Sequence, residues 1–380
     1  MGRRIVRGVV VAATTGIGAA LIAPVAAHAA VACGQTITSS VTLDHHMNCG
    51  GNGITIGASN VVLDLGGFTM TGPAPTETGG GPRGVIVGQN RTGVTVRNGT
   101  VRGFDGGVDV LPGANGTTIT GMTLDANGLG IRISTGTSSN RIIGNTIVNT
   151  TRFSAIQMGG NGHLVENNRL HNGNGSGVFL SGNDNVIRSN QISEMGQNGI
   201  TIGAFPSNPG PFVNNQIVGN QVTGSARVGT ASSISVNNGS GTLIQGNLAY
   251  GRRTTPGVFV FDSVNTVVSG NSLPNNGSGV LVRGTTTGTQ VVGNQGQQNA
   301  FAGVVIENGP TGTTVADNTV VGNGGNGIDV RSASTTIARN TAYSNGNLGI
   351  FAVSGATDGG GNRAFNNGNP AQCSPNIRCT

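Results

Sequence analysis

A parallel β-solenoid, a rod of stacked three-strand coils, is the fold class that this sequence predicts, on three observations. A short apolar motif returns at near-constant spacing, an asparagine returns at the same spacing in another phase, and glycine makes up 69 of 380 residues. An ordinary chain carries about 7% glycine, and a repeat of 20–50 residues signals stacked units. The clearest unit is 177–202, GVFLSGNDNVIRSNQISEMGQNGITI. Gly177-Val178-Phe179-Leu180 alternates as a half-buried strand does. A polar turn at 181–185 leads to Val186-Ile187, Asn190 separates these from Gln191-Ile192, and the turn at 196–199 leads to Ile200, where the pattern restarts. One unit is about three short strands and three Asn/Gly turns.

The leading apolar residue falls at Ile54, Val85, Val108, Ile131, Ile156, Val178, Ile200, Ile234, Val258, Val280, Val304, Ile328 and Ile350. Ten of the twelve intervals lie between 22 and 25 residues, and the exceptions are 31 and 34. Thirteen coils at the ~4.8 Å strand spacing make a rod about 60 Å long. The asparagine recurs between apolar neighbours at Asn145, Asn168, Asn190, Asn220, Asn247, Asn271, Asn294, Asn318, Asn340 and Asn362. Asparagine tolerates left-handed turns and its amide bonds in two directions, so a stacked ladder is expected, ending where Met122 takes the slot.

The ends read differently. Residues 1–29 have the form of a secretion signal: Arg3, Arg4 and Arg7, an apolar stretch at 9–25, and Ala27-His28-Ala29 as the cleavage site. Its apolar run is interrupted, which disfavours a retained membrane span, and no other segment could cross a bilayer. An exported protein with no membrane span after signal removal is expected, secreted or extracellular. Cys33 with Cys49 and Cys373 with Cys379 form two local pairs, read as one disulfide at each end in an oxidising compartment. A lipid on Cys33, after Ala30-Val31-Ala32, is the alternative. The predicted organisation is signal 1–29, N-terminal cap 30–52, β-helix 53–365 and disulfide-tied tail 366–380. A cap covers the apolar cross-section that a solenoid end exposes.

Charge is sparse. All 20 basic residues are arginine, and loss of the signal takes the formal charge from +6 to +3. No basic stripe points to nucleic acid. Without lysine there is no Schiff-base chemistry.

The spacing, the G-[VI]-x-[VIL] strand and the recurring asparagine resemble right-handed parallel β-helices of the pectate-lyase-like superfamily, including its NosD-like and carbohydrate-binding and hydrolase repeats. Asn60-Val-Val-Leu-Asp-Leu-Gly-Gly-Phe-Thr-Met70 looks like the first coil of those proteins. The resemblance spans roughly 33–370 and implies a single-domain right-handed parallel β-helix. It implies extracellular polysaccharide as partner, and lyase, hydrolase or epimerase chemistry. Calcium enters as a cofactor by that resemblance only, since the chain has no acidic cluster and no metal-ligand spacing.

The two long intervals locate insertions. The first, 71–82, reads as a tolerated surface loop. The second enlarges both turns around one first strand, at about 203–213 and 223–233, and so predicts a walled groove with Phe205, Phe212 and Arg227 on its walls. Side chains one and three positions after each leading residue point outward. These are Phe259, Leu281, Val305 and Asp329, then Phe261, Arg283, Glu307 and Arg331. A charge ladder with Glu307 between two arginines is one reading. The other is a sugar site, with Phe259 and Phe261 stacking, Arg283 and Arg331 binding, and Glu307, Asp329 or Asp262 as acid or base. The competing function is a non-catalytic surface or adhesion scaffold, or a NosD-like accessory protein. The oligomeric state stays open.

Overall fold

The computed structural model describes residues 31–77, 80–204, 209–225 and 231–380. The signal segment and two residues expected on the groove walls, Phe205 and Arg227, lie outside the described residues.

The chain winds as a parallel β-helix whose first strands stack into one sheet of 14, from Thr36–Ile37 to Ile350–Ala352. That is one coil more than the repeat count predicts. The extra strand, Thr36–Ile37, pairs in parallel with Ile54–Ile56 inside the segment expected as a cap. The second and third strands of each coil stack likewise, and merge through two long strands, Thr95–Arg102 and Thr118–Asp125. Their shared corner holds Gly99 opposite Met122. Where the asparagine is missing, the backbone runs through the bend as continuous strand.

Alternation explains the interior. Leading residues and those two further on, such as Val258 with Val260 and Val280 with Val282, are fully buried. They meet Val268, Val291 and Leu273 of the other faces in one continuous core. Glycine precedes eleven of the thirteen leading residues, Ala155 and Ser233 the other two, and its recurrence has a steric cause. A Cβ on Gly279 would come 2.4 Å from the Gly303 carbonyl oxygen, and one on Gly327 would come 2.6 Å from that of Gly349. At these glycines the coils approach so closely that a Cβ would meet the backbone of the next coil.

The asparagine ladder runs from Asn145 to Asn362, every member at most 1% exposed. Asn294 is representative. Its Oδ1 accepts the Asn271 N–H at 3.0 Å, and its Nδ2 donates to Val268 O at 2.8 Å and to Asn318 Oδ1 at 3.0 Å. At the ladder's start Met122 donates only its backbone N–H, at 3.0 Å, to Asn145. Two further ladders escaped the sequence reading. Asn276, Asn299, Asn323, Asn345 and Asn367 bond in series at the corner before the first sheet, and Gln372 closes that series. The third comprises Asn140, His163, Asn185 and Asn215. His163 belongs because its Nδ1 accepts the Asn140 N–H at 3.0 Å while Nε2 donates to Gly159 O at 2.9 Å.

Disulfides join Cys33 to Cys49 and Cys373 to Cys379. Cys33 is thus held in a disulfide, not available for a lipid.

Candidate functional site

The outward face of the first sheet carries the site. Parallel register puts Phe259 beside Leu281, Leu281 beside Val305 and Val305 beside Asp329, with Phe261 beside Arg283. Along this face, against the corner where third strands return, runs an open groove of about 520 Å³. Leu281 and Val305 form its floor, and Phe301 stands beside it, 60% exposed. Glu307, Asp329, Arg331 and Asn326 supply its polar side.

The charges pair differently from the expected ladder. Arg331 turns back along its own strand, because residues two apart share a face. Its Nε donates to Asp329 Oδ1 at 2.9 Å and its Nη2 to Oδ2 at 3.2 Å. Asn326 Nδ2 adds a third bond to Asp329 Oδ2 at 3.1 Å. The hydrogen bond and charge of Asp329, with Glu307 further off, hold the Arg331 guanidinium charged even more firmly than usual. Glu307 keeps one salt bridge, from Arg283 Nε at 3.1 Å, and its side chain is 35% exposed. Asp329 is therefore sequestered, whereas Glu307 stays accessible.

The remaining predicted residues separate. Asp262 lies in a turn with φ of 45°, where its Oδ1 accepts the Thr285 N–H at 2.8 Å and the Thr285 hydroxyl at 3.0 Å. That is a turn-capping role rather than an acid beside Glu307. Phe259 and Phe261 stack on each other with centroids 5.9 Å apart and form a ledge one rung from the groove floor. Phe212 corrects a prediction. Its ring is fully buried in the core, so it cannot face a ligand. The enlarged turn simply delivers an apolar residue inward.

Sequence reasoning missed Phe301, which sits in a turn three residues before a leading position. It also missed a cluster at the other end of the same face. Asp109, in register with Arg132, is 2% exposed and accepts from Arg83 Nε at 3.2 Å and from Arg132 Nη2. Burial pushes its carboxyl above the usual range, with Arg132 and Arg83 pulling the other way. Asp105 anchors the 71–82 loop by accepting the Thr76 N–H, the Thr76 hydroxyl at 2.7 Å and the Gly81 N–H. Burial raises the Asp105 carboxyl, but those bonds and Arg152 outweigh it and leave it below its ordinary value. The loop read as a tolerated surface insertion is thus tied down near its middle, at Thr76, and near its end, at Gly81.

This arrangement, a solenoid with a polar groove laid along one sheet, defines a class of parallel β-helix proteins. The model of the right handed beta helix region matches residues 83–238 and 154–320, more than half of the chain, so the protein belongs to that family. Among curated proteins none matches the sequence. The fold is similar to the catalytic unit of a GH87 α-1,3-glucanase from Streptomyces thermodiastaticus, with TM-score 0.57 and 13% identity, covering 88% of this chain and 64% of that one. It is similar to a tailspike protein of E. coli bacteriophage HK620 solved with a pentasaccharide, with TM-score 0.56 and 13% identity over 90% and 73% of the two chains. The A-module of mannuronan C-5 epimerase AlgE4 from Azotobacter vinelandii aligns with TM-score 0.50 and 16% identity over 90% and 91%. At such identities the likeness is one of fold.

Proposed function

We propose that this protein is exported and binds extracellular polysaccharide along the outward face of its first sheet, with the groove beside Phe301 as the main contact. The observation that carries this reading is the make-up of the groove. Leu281, Val305 and an exposed Phe301 ring offer apolar surface for the C–H faces of a sugar. Glu307, Asn326, Asp329 and Arg331 offer donors and acceptors for its hydroxyls at the same place. Export is supported by the two disulfides, which persist in oxidising compartments, and by the form of residues 1–29. The neighbours named for glucan, mannuronan and a bound pentasaccharide support carbohydrate as the ligand class.

Binding is favoured over cleavage by the ion pairs. A carboxylate held by a forked arginine is poorly placed to pass on a proton, which leaves Glu307 as the acid for any such step.

The test is affinity electrophoresis of the purified mature chain in gels holding neutral or uronate-containing glycans. At least one glycan should retard the wild type. Phe301→Ala and Arg331→Ala should each weaken that retention about tenfold, or about 1.4 kcal/mol, with melting unchanged. A chain that migrates freely through every glycan overturns the proposal. New reducing ends or unsaturated products, lost in Glu307→Gln, would make the binder an enzyme.

A further inference from the structure

The two exposed phenylalanines on this face occupy the same place in different coils. Phe153 and Phe301 each lie three residues before a leading position, Ile156 and Val304. The Phe153 N–H donates to Gly128 O at 2.8 Å and the Phe301 N–H to Gly277 O at 2.8 Å, equivalent partners one coil back. They are 44% and 60% exposed respectively. Each stands over a concavity on the sheet. Phe301 borders the groove already described. Phe153 is shared by two adjoining clefts of about 140 and about 270 Å³, which also share Gln157. Six steps of the sheet separate the strands Ile156–Gly159 and Ala302–Ile306, about 29 Å at ~4.8 Å per step.

The charges of the two places differ. The groove beside Phe301 presents Glu307, Asp329 and Arg331. The paired clefts are lined by Arg83, Arg132 and Arg152 and by no acid. Asp105 and Asp109 lie beneath, each 2% exposed. Three guanidinium groups above two buried carboxyl groups leave an excess of positive charge. Asp109 fixes Arg83 and Arg132 from below. The Arg152 guanidinium carbon sits 4.7 Å from the centroid of the Phe153 ring, which orients it beside the cleft. Prepositioned guanidinium forks next to an exposed ring suit a sugar that carries a carboxylate.

We infer that the cleft around Phe153, Arg132 and Arg152 is a second glycan subsite, specific for the carboxylate of an acidic sugar. The inference rests on the polysaccharide reading above and extends it. One chain long enough to cover about 29 Å would occupy both places, and the second contact would then act at high effective concentration.

The test compares polygalacturonate with its fully methyl-esterified form, which has the same backbone without the charge, by affinity electrophoresis at low salt. Wild type should retain the acid form about tenfold more strongly. That preference should fall towards one in Arg132→Ala and in Arg152→Ala, while Phe301→Ala weakens both forms alike. Arg132→Ala disturbs the Asp109 pair and is read only with an unchanged melting curve. Arg152, which among the described residues rests on Phe153 instead of in an ion pair, decides the matter otherwise. Retention of glycan without preference for the acid form, or a preference that survives both substitutions, overturns the subsite alone. Failure to retain any glycan overturns the polysaccharide reading and the subsite together.

Discussion

Among the described residues His163 is the one titrating side chain in the three ladders, and its chemistry follows from its bonds. Nδ1 must stay unprotonated to accept the Asn140 N–H, and the ring is 1% exposed. Burial depresses its pKa to about 4 from 6.5, against a smaller opposing effect of the bond to Gly159. The sign is fixed by linkage. Between those values the unfolded chain binds a proton that the folded chain refuses, so stability is full above pH 6.5 and falls as pH drops towards 4. The loss approaches about 3 kcal/mol. His163→Asn, which restores the ladder's ordinary member, should flatten the urea midpoint between pH 7 and 4.5 relative to wild type. An unchanged slope would mean that His163 does not titrate as its bonds require. In the sequence His163 breaks the run of asparagines and carries no mark of a ladder. Its place became legible once Asn140 and Asn185 were seen one coil before and after it.

At the scale of the element, the ladder and the glycine column add to parallel strand pairing in setting one coil on the next. Asn294→Ala strands the buried Asn271 N–H and takes one of the donors from the Val268 carbonyl. About 2–4 kcal/mol of stability should be lost, read as lower hydrogen-exchange protection of the flanking coils. Gln372→Ala, at the partly exposed end of another ladder, should cost about 1 kcal/mol in the same measurement. Much at this scale was legible beforehand. The strand phase, the ladder positions and the stop at Met122 follow from a period that two residue types mark independently. What was hidden had no periodic mark. Phe301 and Phe153 are single departures in a turn, and Arg331 pairs with Asp329 two residues earlier where the period offered Glu307 one coil back as an equal neighbour. Asp109 and Arg132 each follow a leading residue by one position and lie side by side, so the rule that neighbouring outward charges pair, applied to coils 258–328, would have found that pair too. Arg83 stands two residues before its leading Val85, in register with Gly106, and falls outside that rule.

For the whole molecule, stability is nearly a sum over neighbouring coils, so its ends should open before its middle. The loop closed by Cys373–Cys379 spans 6 residues and that closed by Cys33–Cys49 spans 16. Chain entropy assigns these crosslinks about 2 and about 3 kcal/mol. Paired Cys→Ser substitutions should therefore loosen only the adjoining terminal coils. Hydrogen exchange should rise around Ile350–Ala352 for the C-terminal pair and around Ile54–Ile56 for the N-terminal pair. Protection at Val178–Ser181 should not change. Uniform loosening along the rod would show one cooperative unit instead of many.

The longest coil passes its extra residues without breaking the amide series. Asn190 Nδ2 still donates to Asn220 Oδ1 at 2.9 Å across 30 residues, and Asn220 to Asn247 at 3.1 Å across 27. Chain length at those corners is therefore uncoupled from how the turns above and below align. A foreign peptide spliced between Ile202 and Phe212 would ride on an undisturbed chassis, and its bulk could be chosen for what it grips.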